Sequence, residues 1–166
     1  MADNVTLPLT GSGDASVVAA ADDIGGVKYQ RVKATFGSET FTTTGDKDSD
    51  AFIAHYDTNG KLQWARAGHG PAIDYGLGVT TDGKGNSFLT GEFTDTFKLA
   101  GGTLQSRGAT DIYIAGFDAS GKLEWLTQAG GVKGDNAYTM VCDHTGALIL
   151  GGACIGPADF GTKNTG

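Results

Sequence analysis

The sequence lacks the features that mark secreted, disulfide-bonded and membrane-spanning chains. It has only 2 cysteines, too few for a disulfide framework, and only 3 prolines. The longest apolar run near the start, residues 17–21, is far too short to cross a bilayer. No Lys or Arg precedes Lys28, so the basic start of a secretory signal is missing. We therefore expect a protein that stays in the cytoplasm or leaves it by a route that needs no such signal, and that does not insert into membranes.

Basic residues are also scarce, whereas glycine is abundant. The 12 Lys and Arg residues face 19 Asp and Glu residues, which argues against nucleic acid as a partner because clustered basic side chains hold a phosphate backbone. Glycine supplies 28 of 166 residues, about 17% against a usual share of about 7%. The glycines keep no three-residue period, which excludes collagen. Scattered between short apolar runs, they indicate tight turns in an all-β protein.

A repeat of 61 residues organises most of the chain. Residues 50–91 align with residues 111–152 without a gap, and 14 of the 42 positions are identical. The identical pairs are Asp50/Asp111, Ile53/Ile114, Ala54/Ala115, Asp57/Asp118, Gly60/Gly121, Lys61/Lys122, Leu62/Leu123, Trp64/Trp125, Gly70/Gly131, Asp74/Asp135, Asp82/Asp143, Gly85/Gly146, Leu89/Leu150 and Gly91/Gly152. So many identities in one register indicate an internal duplication.

Each copy reads as four short strands. In the first copy these are residues 51–56, 61–64, 76–81 and 86–93, with turns at Asp57–Gly60 and Asp82–Gly85. The first strand is apolar on both faces, so we expect it to be covered on both sides, as in stacked sheets. The residues that we expect in the cores are Phe52, Ile53 and Trp64 with their equivalents Tyr113, Ile114 and Trp125.

Four antiparallel strands per repeat predict the blades of a β-propeller. We place one blade in residues 36–98, a second in residues 99–160 and the start of a further repeat in residues 161–166, all behind an extended arm of residues 1–35. A single blade cannot bury both of its faces, and a closed propeller has about four to eight blades. We therefore expect either the amino-terminal portion of a longer chain or self-assembly, for instance of three chains with two blades each.

The repeat has a recognisable signature. The pattern D-[AI]-[FY]-I-A-x-[YF]-D-x-x-G-K-L-x-W, with Gly70, Asp74 and the turn at residues 82–85 after it, resembles the SBBP family of β-propeller repeats over about residues 36–166. The resemblance implies a propeller displayed on large, often surface-located proteins. It implies no single activity, because a propeller is a scaffold whose function depends on its site.

The amino-terminal segment is of a different kind. Residues 1–23 are rich in Ala, Ser, Gly and Asp, and we expect them to be extended or flexible when free. A Gly-Gly turn then precedes a β-prone, basic strand. That strand either closes the first blade or docks on a neighbouring subunit by strand addition. The candidate partner-anchoring residues are Ile24, Val27, Tyr29, Arg31 and Val32.

This segment has its own resemblance. Residues 20–33, with Val5-Thr-Leu-Pro8 near the start, resemble the amino-terminal leader of many tailed-phage structural proteins. The resemblance implies a virion protein that is assembled in the host cytoplasm and bound to other virion proteins through its arm. It also implies a variable domain that projects from the particle. We further expect a homo-oligomer whose exposed body contacts host-surface glycans.

No pattern for catalysis, a cofactor or a metal is found. Asp46, Asp48 and Asp50 open like a calcium loop, but Ala51 stands where that loop needs Gly and Asp57 where it needs a bidentate Glu. The three histidines have no metal-ligand spacing. The remaining acids of interest recur in both copies, which favours turn-building roles; they are Asp74/Asp135 and Asp82/Asp143.

The sequence therefore predicts a non-enzymatic phage virion protein: a fibre, spike, whisker or decoration subunit. Two alternatives stay open. One is a lectin-like or adhesive propeller on a cell surface, and the other is the amino-terminal part of a propeller enzyme whose catalytic groups lie beyond Gly166.

Overall fold

The protein is described here by a computed structural model, which covers residues 49–161 in full and the backbone of four earlier strands. All regular structure in the part so described is β-strand. The strands are β1 (Val5–Thr6), β2 (Val18–Ile24), β3 (Val27–Phe36), β4 (Glu39–Thr42), β5 (Ala51–Tyr56), β6 (Leu62–His69), β7 (Tyr75–Thr81), β8 (Ser87–Phe93), β9 (Thr96–Leu99), β10 (Gly102–Gln105), β11 (Asp111–Phe117), β12 (Leu123–Gly131), β13 (Asp135–Cys142), β14 (Leu148–Cys154) and β15 (Ala158–Asp159).

The first four strands form an antiparallel sheet in the order β1-β2-β3-β4. Strands β2 and β3 pair from Val18 opposite Lys33 to Ile24 opposite Val27. Strand β3 then pairs with β4 as far as Phe36 opposite Glu39, so the sheet crosses the predicted boundary at residue 35. Much of the predicted extended arm is therefore paired strand, which satisfies backbone groups that a single extended strand would leave to water.

Strands β5, β6, β9 and β10 form the sheet that we call the first sheet, in the order β10-β9-β6-β5. Two antiparallel pairs, β5 with β6 and β9 with β10, make up this sheet. They join where Gly68 and His69 of β6 lie opposite Leu99 and Lys98 of β9. Strand β5 is the outer strand of this sheet.

Five strands form the central sheet, in the order β15-β12-β11-β8-β7. Its middle is the antiparallel pair of β8 and β11, which runs through seven positions from Phe93 opposite Asp111 to Ser87 opposite Phe117. The two remaining strands, β13 and β14, make the two-stranded sheet, in which Asp135 lies opposite Cys154 and Cys142 opposite Leu148.

The duplication is visible in the strands but not in the sheets. Strands β5 to β8 recur 61 residues later as β11 to β14, with nearly the same bounds. The central sheet, however, combines β7 and β8 of one copy with β11 and β12 of the next. The hydrogen-bonded sheets thus do not coincide with the predicted blades at residues 36–98 and 99–160. The cause is the β9–β10 hairpin: β9 pairs with β6 of the first sheet, so the free edge of β8 pairs with β11.

The first core lies between the first and central sheets. Strand β11 contributes the buried Tyr113, Ala115 and Phe117, which cluster with Ala51, Ile53 and Trp64 from the first sheet. The Tyr113 ring stacks on Phe97 with centroids 4.5 Å apart, and its hydroxyl donates to the Tyr75 carbonyl oxygen at 3.1 Å. The aromatic rings supply large apolar area to this core, while the buried hydroxyl keeps a partner.

The second core lies on the opposite face of the central sheet. The alternate residues of β11, Ile112 and Ile114, pack with Ala129, Ala137 and Leu150 against the two-stranded sheet. Successive side chains of a strand point to opposite faces, so one strand serves both cores. The expectation that this apolar strand is covered on both sides is confirmed for β11.

We expect Tyr113→Ala to destabilise the fold by about 3–5 kcal/mol, because it empties a fully buried aromatic position and leaves the Tyr75 carbonyl without its donor. Tyr138→Ala is the matched control, because the Tyr138 side chain is exposed on β13. Urea unfolding of both variants measures the difference. Equal losses of unfolding free energy would contradict the described core.

Candidate functional site

Four aspartates build turns of the same geometry, at two positions in each copy of the repeat. In each turn one carboxylate oxygen, Oδ1, accepts hydrogen bonds from the backbone amides two and four residues later, at 2.8–3.2 Å. The four residues are Asp57, Asp82, Asp118 and Asp143. The turns that begin at Asp57 and Asp118 end at Gly60 and Gly121. Both glycines have a φ of 76°, a conformation that favours glycine.

These hydrogen bonds act on the acidity of the turn aspartates. The Ser120 hydroxyl and the turn amides lower the pKa of Asp118, and the Thr145 hydroxyl and its turn amides lower that of Asp143. The amide of Lys84 does the same, as the main cause, for Asp82. Carboxylates stabilised in their charged form by turn donors serve the backbone and are poorly suited to proton transfer near neutral pH.

Two other carboxylates, Asp111 and Asp135, are buried side by side. Both flank Gly130, where any side chain would collide with the Asp111 carboxylate and lie close to that of Asp135. Burial is the main cause that raises the pKa of Asp111; the Arg107 amide and charge oppose it, and nearby Asp135 adds to it. A buried carboxylate pair in which the pKa of Asp111 is raised is the arrangement among the described residues that most resembles an acid–base site.

The hydrogen bonds of Asp135 indicate a structural role for this pair. Its two oxygens accept the amides of Gly131 at 2.7 Å and Ile155 at 3.1 Å, which ties the end of β12 to the loop after β14. The backbone amide of Asp135 donates to Thr110 at 2.9 Å, as the amide of its equivalent Asp74 does to Ser49 at 2.7 Å. This backbone hydrogen bond therefore recurs with the repeat.

Asp111 holds a second loop in the same way. Its Oδ2 accepts the amide of Arg107 at 2.6 Å and the side-chain amide of Gln128 at 3.4 Å. The carboxylate therefore fixes the loop that leads into β11 against β12. Its equivalent in the other copy, Asp50, stands immediately before β5.

A cavity of about 380 Å³ lies beside the second core, between the central and two-stranded sheets. Its lining includes Ile112, Ala137, Leu150, Cys154 and Phe160. Desolvation, and then the Asp135 carboxylate, raise the pKa of the Cys154 thiol. A raised pKa reduces the thiolate fraction at neutral pH, so this thiol is a weak nucleophile. The cavity is mainly apolar and suits an apolar side chain better than a reacting group.

The metal candidates can be placed only in part. Asp46 and Asp48 lie outside the described residues. Within residues 49–161 no three His, Cys, Asp or Glu side chains stand close enough to hold a metal ion. The ring of His55 meets Trp64 edge to face at 5.4 Å, which is a packing contact. No helix in the described part of the chain is long and apolar enough to span a bilayer.

Four of the six residues that we expected in the cores are buried or half-buried, and two are more exposed. Ile53, Trp64 and Tyr113 are buried in the first core, and Ile114 is half-buried against the second. Phe52 and Trp125 differ from the expectation, because both are about half exposed, at 52% and 41%. Phe52 alternates with Ala51 and Ile53, so its side chain lies on the other face of β5 from the first core.

The candidate anchoring residues lie in the amino-terminal sheet. Ile24 ends β2, and Val27, Tyr29, Arg31 and Val32 belong to β3. Their side chains are outside the described part of the structure. Strand β3 has a neighbour on each side, so a partner strand could not add to it without displacing β2 or β4. Strand addition at β3 itself therefore does not agree with this sheet.

Sequence reasoning missed the open strand edges. It assigned each copy to its own sheet, whereas β5 and β14 are outer strands that pair, within the described residues, only with β6 and β13. A signal was present in residues 96–99, where Phe97 and Leu99 alternate with polar residues before a turn at Ala100-Gly101. That pattern predicts the extra hairpin, and with it a sheet shared by two copies.

Comparisons with known proteins give limited information. No protein-family model matches the chain. It is 26% identical over 125 residues to the regulatory protein FlaEY of Caulobacter vibrioides, an alignment that covers 72% of this chain. The chain spans only 13% of that relative's length. Neither the SBBP repeat family nor the phage leader is therefore supported by a match.

We expect removal of the turn charges to flatten the acid sensitivity of the fold. Because folding lowers the pKa of Asp118 and Asp143, their stabilising contribution is present above the ordinary carboxyl range and is lost as pH falls below about 4. Asn keeps an acceptor but does not titrate. The Tm should therefore fall less between about pH 5 and pH 3 in the Asp118→Asn/Asp143→Asn double variant than in the wild type.

Asp111 and Glu92, whose pKa values are raised by burial, act in the opposite direction but are the same in both proteins. They cancel in the comparison. An equal fall of Tm in the two proteins would show that the turn carboxylates do not contribute to acid sensitivity.

Asp135→Ala should destabilise the protein by about 1–3 kcal/mol for each of the two amides left without an acceptor. Asp159→Ala is the control, because Asp159 is exposed and a surface substitution usually stays within about 0.5 kcal/mol. Chemical unfolding gives both values. A change at Asp135 as small as the control's would argue against this structural role and would reopen a chemical role for this carboxylate.

Proposed function

We propose that the protein is a non-enzymatic structural component of a tailed-phage virion. In this proposal the amino-terminal segment attaches the protein to the particle, and the repeats form β-propeller blades that make up the exposed body. The protein would be a fibre, spike, whisker or decoration subunit, located in the virion after assembly in the host cytoplasm.

The observation that carries the structural role is the use of the acidic side chains. Asp57, Asp82, Asp118 and Asp143 each accept two backbone amides in the same turn geometry, and Asp135 accepts two more across a loop. Groups that recur with the repeat and bind the backbone maintain a scaffold. A catalytic pair would instead be expected once, in a cleft that admits substrate.

Face-to-face sheets support the propeller architecture. The central sheet is covered by the first sheet on one face and by the two-stranded sheet on the other. Adjacent sheets are also joined by polar contacts: Trp64 Nε1 donates to the Ala119 carbonyl at 3.2 Å, and the Cys142 amide donates to Thr80 Oγ1 at 3.2 Å. Such stacking of like sheets is how blades bury their faces.

The virion assignment depends on the leader-like segment. Residues 20–33 carry the resemblance, and their backbone forms most of the β2–β3 hairpin. Strand β3 has a neighbour on each side, so in this proposal a partner contacts a face of the amino-terminal sheet and not an edge of β3. We assign Ile24, Val27, Tyr29, Arg31 and Val32 to contacts with other virion proteins. Binding of host-surface glycans by the exposed body is part of the same proposal.

A second candidate is an adhesive module of a larger cell-surface protein. The observation that favours it is the alignment of this chain with 13% of a much longer bacterial protein, which shows that such a segment occurs within large chains. The two candidates differ in where the protein is found: in purified phage particles, or in the cell envelope.

Deletion of residues 1–33 should abolish incorporation into particles and leave the repeats folded, because the two described cores consist of residues from β5 to β14. The measurement is the amount of tagged protein in purified particles after infection with a phage whose own copy is deleted. The full chain, supplied in the same way, is the positive control.

Circular dichroism and Tm of the purified deletion variant show whether the repeats keep their fold. Incorporation of the deletion variant at the level of the full chain would refute attachment through the amino-terminal segment. Absence of the full chain from all purified particles would refute the virion assignment and favour the cell-surface candidate.

A further inference from the structure

The turn between β5 and β6 contains the dipeptide Asn59-Gly60, which can react with itself in water. Asn59 is the one asparagine of the sequence that a glycine follows. The backbone nitrogen of the residue after an asparagine can attack the side-chain amide carbon and close a five-membered imide ring. A side chain on that residue hinders the attack, and glycine has none. Asparagine is accordingly one of the thermally labile residues of proteins.

Both residues of this dipeptide are accessible. Asn59 and Gly60 are exposed, and a Cβ atom placed on Gly60 would meet no atom within 4 Å. Asn59 joins the turn through its backbone amide, which donates to Asp57 Oδ1 at 2.9 Å. Within residues 49–161 this is the hydrogen bond that holds Asn59, and its side-chain amide takes no part in it. The side chain can therefore rotate towards the Gly60 nitrogen.

The equivalent turn in the other copy shows that the turn does not need the asparagine. Ser120 takes the place of Asn59, and its amide donates to Asp118 Oδ1 at the same distance of 2.9 Å. The amides of the two turn glycines donate to the carbonyl oxygens of Asp57 and Asp118 at 3.0 and 2.9 Å. The Ser120 hydroxyl adds a hydrogen bond of 2.7 Å to the Asp118 carboxylate. Two turns of one geometry thus carry a residue that can react and a residue that cannot.

The other asparagines in the described part of the chain are more restrained. The side chain of Asn86 donates to Asp82 Oδ2 at 2.6 Å, and the residue that follows it, Ser87, is buried. Asn136 is half-buried, and its side-chain oxygen accepts the Thr110 hydroxyl at 3.5 Å. Each is followed by a residue that has a side chain and belongs to a strand. We expect both to react more slowly than Asn59.

We propose that Asn59 deamidates in the folded protein and converts the turn between β5 and β6 into a looser and more acidic one. The Gly60 nitrogen gives up its proton and bonds to the side-chain carbonyl carbon of Asn59. The bond from that carbon to the amide nitrogen breaks, and ammonia leaves. Water then opens the imide ring at one of its two carbonyl groups. One product is aspartate, and the other is isoaspartate, in which the main chain runs through the side-chain carbonyl carbon.

One hydrogen bond of the turn limits the rate. The Gly60 amide donates to the Asp57 carbonyl oxygen at 3.0 Å, and this bond has to open before the nitrogen can attack. The turn is exposed and joins two paired strands, and local opening at such a place costs little free energy. We therefore expect the folded chain to react at a measurable rate, but more slowly than an unfolded peptide of the same sequence.

Isoaspartate prevents the turn from closing as before. It adds a methylene group to the main chain ahead of the Gly60 nitrogen, so the Gly60 amide and the Asp57 carbonyl oxygen no longer keep their distance of 3.0 Å. The new carboxylate makes the net charge one unit more negative than −7. The pairing of β5 with β6 should weaken from this end, where Tyr56 lies opposite Leu62. The reaction needs only water, so its failure and a failure of particle attachment are separate results.

Peptide mapping of the aged full chain tests the reaction. Purified protein is kept folded in a mildly alkaline buffer, and the tryptic peptide of residues 48–61 is followed by mass spectrometry. We expect a growing fraction that has lost ammonia and gained water, with separate aspartate and isoaspartate forms. The peptides that contain Asn86 and Asn136 should stay unchanged. Asn59→Ser, which copies the turn at Ser120, is the matched control and should gain no charge on ion-exchange chromatography.

A synthetic peptide of residues 48–61, kept in the same buffer, gives the rate without the fold. Absence of a deamidated fraction in the protein after this peptide has reacted completely would overturn the proposal, because the turn would then protect Asn59. Reaction of Asn86 or Asn136 as fast as that of Asn59 would also overturn it.

Thermal unfolding tests the effect on the turn. The Tm of aged wild-type protein should fall as isoaspartate accumulates, whereas that of equally aged Asn59→Ser protein should stay constant. Asn59→Asp carries the new charge on a normal main chain, so it should lower the Tm less than isoaspartate does. An aged wild type that contains isoaspartate and keeps its Tm would contradict the loosening of the turn.

Discussion

The fold depends on the backbone hydrogen bonding of β8 to β11, which joins the end of one repeat to the start of the next. This pairing builds the middle of the central sheet and aims alternate side chains of β11 into two cores. Neither repeat could bury these side chains by itself. Each copy therefore depends on a strand from the next, and a copy whose neighbour is missing leaves apolar surface exposed.

Much of the strand structure could be predicted from the sequence. The alternating strand at residues 51–56, the Asp-to-Gly turns and the duplication all correspond to described strands and turns. What the sequence did not show was which strands share a sheet, because a period of two is the same whether the neighbour belongs to the same copy or the next. The short hairpin at residues 96–105, which decides this, was overlooked although Phe97 and Leu99 carry the pattern.

The candidate site illustrates how burial and recurrence have to be considered together. A buried carboxylate pair such as Asp111 and Asp135, with a raised pKa at Asp111, would by itself suggest chemistry. The hydrogen bonds show what sequence alone could not: Asp135 holds the amides of Gly131 and Ile155, and Asp111 holds that of Arg107. These distances depend on loops folded across the sheets, which no local pattern encodes. The exposure of Phe52 and Trp125 likewise depends on which neighbours are present.

Amide hydrogen exchange of the full chain tests the central claim most directly. Sheet sharing between successive repeats predicts that amides along both edges of Ser87–Phe93 are protected, because β8 lies between β7 and β11. In Leu148–Cys154 the amides that face β13 should be protected, and those at the other edge, where the described residues supply no strand, should exchange faster. Rapid exchange along either edge of Ser87–Phe93 would contradict the account.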